Sequence, residues 1–193
     1  DDESLIKIKK SLKLYSSIAV REDKAVELIK EMGIEAKQVL DPTLLITAEE
    51  WSKYINKIPK KQKYVLVYQI HNNPNLSNYA KQYAKKANLS LVRVSPLFHQ
   101  IGRGGKFVWL PDIDKFLSLI KNAECLITDS FHGTAFALNF NTQFVEVLPN
   151  TGTSSRNQSI LKLTNLETRI VRNLDDFSYI NKKIDFAKVN KII

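Results

Sequence analysis

Four side chains in this sequence have types and positions suited to holding an anion next to a proton donor: Arg21, Asp129, His132 and Arg156. His132 falls within Glu124–Phe140, ECLITDSFHGTAFALNF. The apolar opening of that segment, Cys125-Leu126-Ile127, is too short for a helix and is bounded by polar residues, so it reads as a buried strand. Thr128-Asp129-Ser130 then supplies cap and turn formers, and Ala135–Phe140 continues as a helix-compatible run with His132 in its first turn. A strand that gives way to a helix through a polar turn is half of a βαβ unit. In open α/β sheets ligands bind at the carboxyl ends of strands, where helix N-termini favour negative charge. His132 can face such an anion; the competing role is a histidine that caps or packs at a helix start. Asp129 serves as the helix N-cap or orients His132, with the cap preferred.

Arg21 closes the short strand Ser17–Val20. It can hold phosphate or carboxylate through paired N–H groups, or lie exposed in an ion pair with Glu22 or Asp23. Arg156 follows Ser154-Ser155 in the first turn of a further helix, as a second anion clamp or as a surface arginine. His71 and His99 sit in loops and read as surface residues. The glycine-rich stretch Gln100–Lys106, QIGRGGK, reads as an exposed, flexible loop, and it lacks the strand–helix setting of a phosphate-binding motif.

The elements that must position these groups alternate along the chain. Glu3–Leu14 has an amphipathic helical pattern through Leu5, Ile8 and Leu12. Ser17–Val20, a helix carrying Ala25, Leu28, Ile29 and Met32 on one face, and Ala36–Leu40 form a β–α–β unit stopped by Asp41-Pro42-Thr43, with Asp41 fixing the turn. Two strands cannot bury both faces of a parallel sheet, so this unit lacks a sheet of its own. Ala48–Ile55 is a short helix anchored by Trp51, and Asn56–Lys63 has linker composition. Strands follow at Tyr64–Ile70, Leu89–Val94, Cys125–Ile127, Gln143–Leu148 and Arg169–Val171. Between them lie helices marked by Leu76, Tyr79, Ala80, Tyr83, Ala84 and Ala87, by Ile113, Phe116, Leu117 and Ile120, and by the run after Ser130. Pro149–Ser155 is a loop of turn residues, and a polar, lysine-bearing helix closes the chain. Five strands alternating with helices predict a doubly wound, Rossmann-like parallel sheet with helices on both faces.

Composition narrows the partners. The 193 residues are 44% hydrophobic and 25% charged, as in globular proteins, and no apolar run reaches the ~20 residues that a membrane-spanning helix needs. The first residues, Asp1-Asp2-Glu3, are the opposite of a basic signal-peptide start. The single cysteine, Cys125, excludes an intrachain disulfide and fits a reducing compartment, so a cytoplasmic location is expected. Net charge is +9, yet the lysines are scattered and not interleaved with aromatics, which favours a solvated surface over a nucleic-acid face. No zinc-ligand spacing occurs, and neither a metal nor a cofactor is expected.

The segment TDSFHGTAFALNF followed by Gln143-Phe144-Val145 resembles the signature of the polysaccharide pyruvyl transferase family. SIAVRED at Ser17–Asp23, VLDPTLL at Val39–Leu45 and SSRNQSILKL at Ser154–Leu163 agree with it in order and spacing. The resemblance implies two Rossmann-like halves facing a cleft, as in glycosyltransferases of the B type. Residues 1–57 would be the remnant of the first half and 58–193 the second, in an enzyme nearly twice as long. It further implies transfer of a pyruvyl unit from phosphoenolpyruvate to a sugar of a cell-surface polysaccharide or its precursor, as a ketal, with association at a polysaccharide assembly system. His132 would be the acid–base group. Arg21 and Arg156 would clamp the donor, and Ser130, Phe131, Gly133 and Thr134 would complete its site. Ser130 stands where many family members carry arginine, which puts the donor in question; the alternatives are a nucleotide-sugar glycosyltransferase and, given the missing first half, an inactive isolated half.

Overall fold

A computed structural model describes residues 2–55, 63–149 and 154–193. The linker residues 56–62 and loop residues 150–153 lie outside the described residues. The main sheet has five parallel strands: β3 (Tyr64–Tyr68), β4 (Ser90–Ser95), β5 (Lys106–Trp109), β6 (Cys125–Thr128) and β7 (Phe144–Glu146), in the order β5-β4-β3-β6-β7. Its strands are apolar on both faces because helices cover both. Val65, Val67, Cys125, Ile127 and Val145 pack beneath α4 (Pro74–Lys86). Leu66, Leu126 and Phe144 meet α5 (Ile113–Lys121), α6 (Phe131–Asn139) and α7 (Ser155–Leu163) on the other face. The doubly wound α/β expectation holds.

Two strand assignments are corrected. Lys106–Trp109, the end of the supposed loop and the residues after it, is the edge strand β5. Arg169–Val171 contributes a single bridge between Ile170 and Glu146 after a 3₁₀ turn at Glu167–Arg169, because the chain leaves β7's edge after one pairing. The Gln100–Lys106 stretch is also not a loose loop. Gln100 is buried within a 3₁₀ segment, Phe98–Arg103. Gly105 has φ +86°, and a β-carbon there would stand 2.8 Å from the Leu91 carbonyl oxygen, so glycine lets the chain return tightly to the sheet.

Before the sheet come α1 (Asp2–Leu12), then β1 (Ala19–Val20), α2 (Asp23–Glu31) and β2 (Lys37–Gln38), the last three forming a two-stranded parallel unit of their own. The apolar residues Leu5 and Ile8 of α1 stay exposed. Asp41 does fix the turn at Pro42, accepting the Thr43 N–H at 2.9 Å. Helix α3 (Ala48–Ser52) has a Thr47–Glu50 capping box, and Trp51 rests its ring 5.3 Å from Phe136. The C-terminal tail is two short helices, α8 (Ser178–Asn181) and α9 (Phe186–Val189), in place of one polar helix; Ile180, Ile184 and Val189 are buried. Apolar side chains at those positions tie the tail to the domain.

Candidate functional site

The strand order reverses direction between β3 and β6, and that switch point is where the candidate residues gather. Register brings Tyr68, Thr128 and Glu146 to one level at the carboxyl ends of three adjacent strands. The first turn of α6 lies over this row. Thr128 Oγ1 donates to the Tyr68 carbonyl at 2.6 Å and accepts the Ser130 N–H at 3.0 Å. Gly133 fits because it has no β-carbon: one would stand 2.8 Å from Thr128 Oγ1 and 3.0 Å from Tyr68 Cδ1. Thr134 donates its hydroxyl to Glu146. Ser130 is the N-cap, its Oγ accepting the Gly133 N–H at 3.4 Å.

Asp129 therefore neither caps the helix nor touches His132 among its hydrogen bonds. Its buried carboxylate accepts the N–H groups of Ile70 (2.8 Å) and His71 (3.2 Å), tying the β3–α4 loop to the β6–α6 turn. Burial pushes its pKa up, against these bonds and the nearby His71. Glu146 is buried more completely. Burial raises it to about 7, opposed by the Thr134 bond and the nearby Asn157 amide, and its Oε2 has no hydrogen-bond partner.

Within α6 every residue is buried or half-buried except His132, which is exposed. Ser130, not His132, is the N-cap, and the His132 imidazole faces solvent. Its ring lies edge-on to Phe131, with centroids 5.4 Å apart. Phe131 is also where the two arginines meet. The guanidinium carbons of Arg21 and Arg156 each lie 5.9 Å from its ring centroid. Arg21 is paired with neither Glu22 nor Asp23; it reaches the buried Asp41. Burial works against the charged form of Asp41, but the Thr43 bonds and Arg21 hold its pKa below the usual carboxylate range. Arg156 lies 3.7 Å from Glu22 and is almost half exposed.

These arginines come together because the N-terminal β1–α2–β2 unit docks on α7. Ser159 Oγ accepts from the Asp23 N–H at 2.9 Å and from Gln38 Nε2 at 2.8 Å. Ser155 donates to Glu22 at 2.6 Å, and Lys162 pairs with Asp23 at 3.0 Å. Arg21, Phe131, His132 and Arg156 thus form one cluster. Ser130, Gly133 and Thr134 lie beneath it as the buried turn that sets its position. Alongside, a cavity of about 210 Å³ opens at the ends of β3 and β4 between Tyr68, Ser95, Pro111 and Phe116.

Sequence reading missed three polar groups here. His71 was assigned to the surface, yet its Nδ1 faces Asp129. Asp41 was given a turn and not a guanidinium, and Glu146 was not singled out. The available signal for His71 was its place three residues past a buried strand. That signal gains meaning only when β3 is known to adjoin β6.

This architecture is glycosyltransferase-B-like in fold. It is similar to UDP-GlcNAc 2-epimerase from Neisseria meningitidis bound to UDP-GlcNAc (12% identity, TM-score 0.54, covering 79% of this chain and 49% of that one). It is also similar to the S. aureus protein MnaA solved with UDP (12%, TM-score 0.56, 94% and 58%). The Methanocaldococcus jannaschii UDP-GlcNAc 2-epimerase, in complex with UDP-GlcNAc and UDP, has 13% identity and a TM-score of 0.51, with 93% and 60% covered. The chain spans roughly half to three fifths of the length of these structures, and at such identities the likeness is one of fold. No curated protein matches. The family model of polysaccharide pyruvyl transferase matches residues 1–151, and the chain belongs to that family.

Proposed function

We propose that this chain carries the donor site of an enzyme that moves a pyruvyl group from phosphoenolpyruvate onto a sugar of a cell-surface polysaccharide or its precursor, forming a ketal. The observation that carries the reading is the approach of Arg21 and Arg156 to one face-forming residue, Phe131, beside the exposed His132. Phosphoenolpyruvate brings two anionic groups on a small, flat carbon frame. Two guanidiniums and the N-terminus of α6 supply charge complementary to a phosphate and a carboxylate. Phe131 holds both guanidiniums against one buried ring.

The chemistry then needs a proton for the methylene carbon as C2 becomes electron-poor, and His132 supplies it. Positive charge from the arginines stabilises phosphate as it departs. The acceptor is assigned to the cavity beside Tyr68, whose ring reaches the α6 turn at Gly133.

The test is phosphate release from phosphoenolpyruvate by the intact protein, offered galactose- and mannose-type acceptors. The wild-type protein should release phosphate only with an acceptor present. His132→Ala should reduce turnover by about 100- to 10,000-fold with unchanged circular dichroism. Arg21→Ala and Arg156→Ala should chiefly raise the phosphoenolpyruvate concentration required. Retained turnover in His132→Ala would refute its catalytic role, and unchanged donor dependence in both arginine variants would refute the clamp.

A second reading follows from Ser130, which leaves the α6 turn without the guanidinium many family members carry there. A nucleoside diphosphate sugar would then be the donor. Stabilisation by UDP, with no response to phosphoenolpyruvate, would favour that reading.

A further inference from the structure

Ketal formation requires a proton acceptor as well as a donor. The oxygen of the sugar cannot bond C2 and keep its proton, and His132 is assigned to giving one up. A second imidazole stands at the same switch point. His71 lies three residues beyond Tyr68, and His132 four beyond Thr128, and those two strand ends are paired in register. The loops that follow are joined by the Asp129 carboxylate, which accepts from both the Ile70 and the His71 N–H.

The geometry of His71 is that of an oriented base. Nδ1 lies 3.4 Å from Asp129 Oδ2, shielded from solvent, and makes no hydrogen bond in this structure. The Asp129 side chain is fully buried, whereas His71 keeps 34% of its side chain exposed. A carboxylate facing Nδ1 holds the ring proton on that nitrogen and leaves the lone pair on Nε2, the atom on the far side of the ring. Distances of this kind shorten when substrate fills a site.

We propose that His71 and Asp129 form a second acid–base pair of this site, with His71 accepting the proton of the acceptor hydroxyl and Asp129 as its positioning residue. The assignment to a sugar hydroxyl rests on the pyruvyl-transfer reading above. In the first addition the hydroxyl oxygen bonds C2, the C2–C3 double bond takes a proton from His132 to become a methyl group, and the hydroxyl proton passes to His71. In the second, the C2–O bond to phosphate breaks with its electron pair leaving on phosphate, and the second hydroxyl oxygen bonds C2. Of the two hydroxyl protons, one balances the new methyl hydrogen and the other leaves with phosphate. Exchange with solvent resets both imidazoles.

The experiment pairs kinetics of the intact protein with carbethoxylation by diethyl pyrocarbonate, read by peptide mass mapping. The chain has three histidines, and exposed His99 serves as the internal reference. His71 should react severalfold faster than His99 in the wild-type protein, and Asp129→Asn should abolish the difference. His71→Ala and His71→Gln should lower kcat by about 100-fold or more with phosphoenolpyruvate binding unchanged, and added imidazole should restore part of the His71→Ala turnover. A packing residue would not be rescued in this way. Equal reactivity of His71 and His99 would overturn the pair, as would a kcat in His71→Ala within about threefold of wild type. Should Asp129→Asn fail to fold, the wild-type reactivity contrast and the two His71 variants decide the matter alone. A wild-type protein that releases no phosphate from phosphoenolpyruvate, with the reactivity contrast intact, would overturn the hydroxyl assignment together with the donor and leave the His71–Asp129 pair standing.

Discussion

Replacing Gly133 by alanine tests whether the α6 turn is held where the structure places it. A methyl group there would stand 2.8 Å from Thr128 Oγ1 and 3.0 Å from Tyr68 Cδ1. Neither neighbour can step aside easily. Thr128 Oγ1 is fixed by bonds to the Tyr68 carbonyl and the Ser130 N–H, and the Tyr68 ring packs edge-on against Phe116 at 4.8 Å. Overpacking of this kind costs about 1–3 kcal/mol, and disturbing the two threonine bonds adds about 1 kcal/mol. Against that, alanine is favoured over glycine in a helix by up to about 1 kcal/mol. The steric effect wins, leaving a net loss of about 2 kcal/mol, which for a chain of this size lowers Tm by roughly 4–8 °C. Gly102→Ala is the control, since a β-carbon there meets nothing within 4 Å. Thermal unfolding of both variants by circular dichroism makes the comparison. A Gly133→Ala protein whose Tm matches wild type within about 1 °C, or exceeds it, would refute the close approach of α6 to the strand ends.

Other outcomes follow from buried charge. Glu146 is raised from an ordinary 4.5 to about 7 in the folded state, chiefly by burial. The proton it retains contributes stability that is fully present below pH 4.5 and is lost as pH rises through 7, roughly 3 kcal/mol in all. Glu146→Gln should therefore flatten the fall in urea midpoint between pH 5 and 8 and be the more stable protein at pH 8; an unchanged slope would contradict this. Arg93 is wholly buried and donates to neutral acceptors: Gln69 Oε1 at 3.0 Å, Ser77 Oγ at 3.3 Å, and the Gly104 and Arg103 carbonyls at 3.4 Å. Burial, with Arg103 nearby, lowers its pKa to about 10. Arg93→Met should destabilise by about 2 kcal/mol, because the unpaired acceptors outweigh relief of the buried charge, and should open the Phe98–Arg103 segment to limited proteolysis. Equal stability of that variant by urea unfolding would show the arginine to be dispensable.

The helix–strand alternation was legible in the sequence because strands covered on both faces read as short apolar runs and helices carry an apolar stripe every three or four residues. Leu66 and Val67 point to opposite faces of the sheet yet are both fully buried, so the run VLV alone identifies a central strand. Edge elements escaped the same reading. Of β5, with Lys106 and Trp109 exposed, only Val108 is buried, so no apolar run marks it. Arg169–Val171 has the composition of a strand but finds one pairing, since pairing depends on where the preceding turn delivers the chain.

At the site, the types and local positions of His132, Ser130 and Arg156 at helix starts, and of Arg21 at a strand end, were fixed by residue chemistry within a few positions of each. Which of them meet was decided by the tertiary structure alone. Docking of β1–α2–β2 on α7 brings Arg21 across more than a hundred residues to the ring of Phe131. The pairing of β3 with β6 places His71 against Asp129, although 58 residues separate them. Local sequence sets backbone preference and the burial of a face, whereas the partner of a polar side chain depends on strand order, which no neighbouring residue encodes.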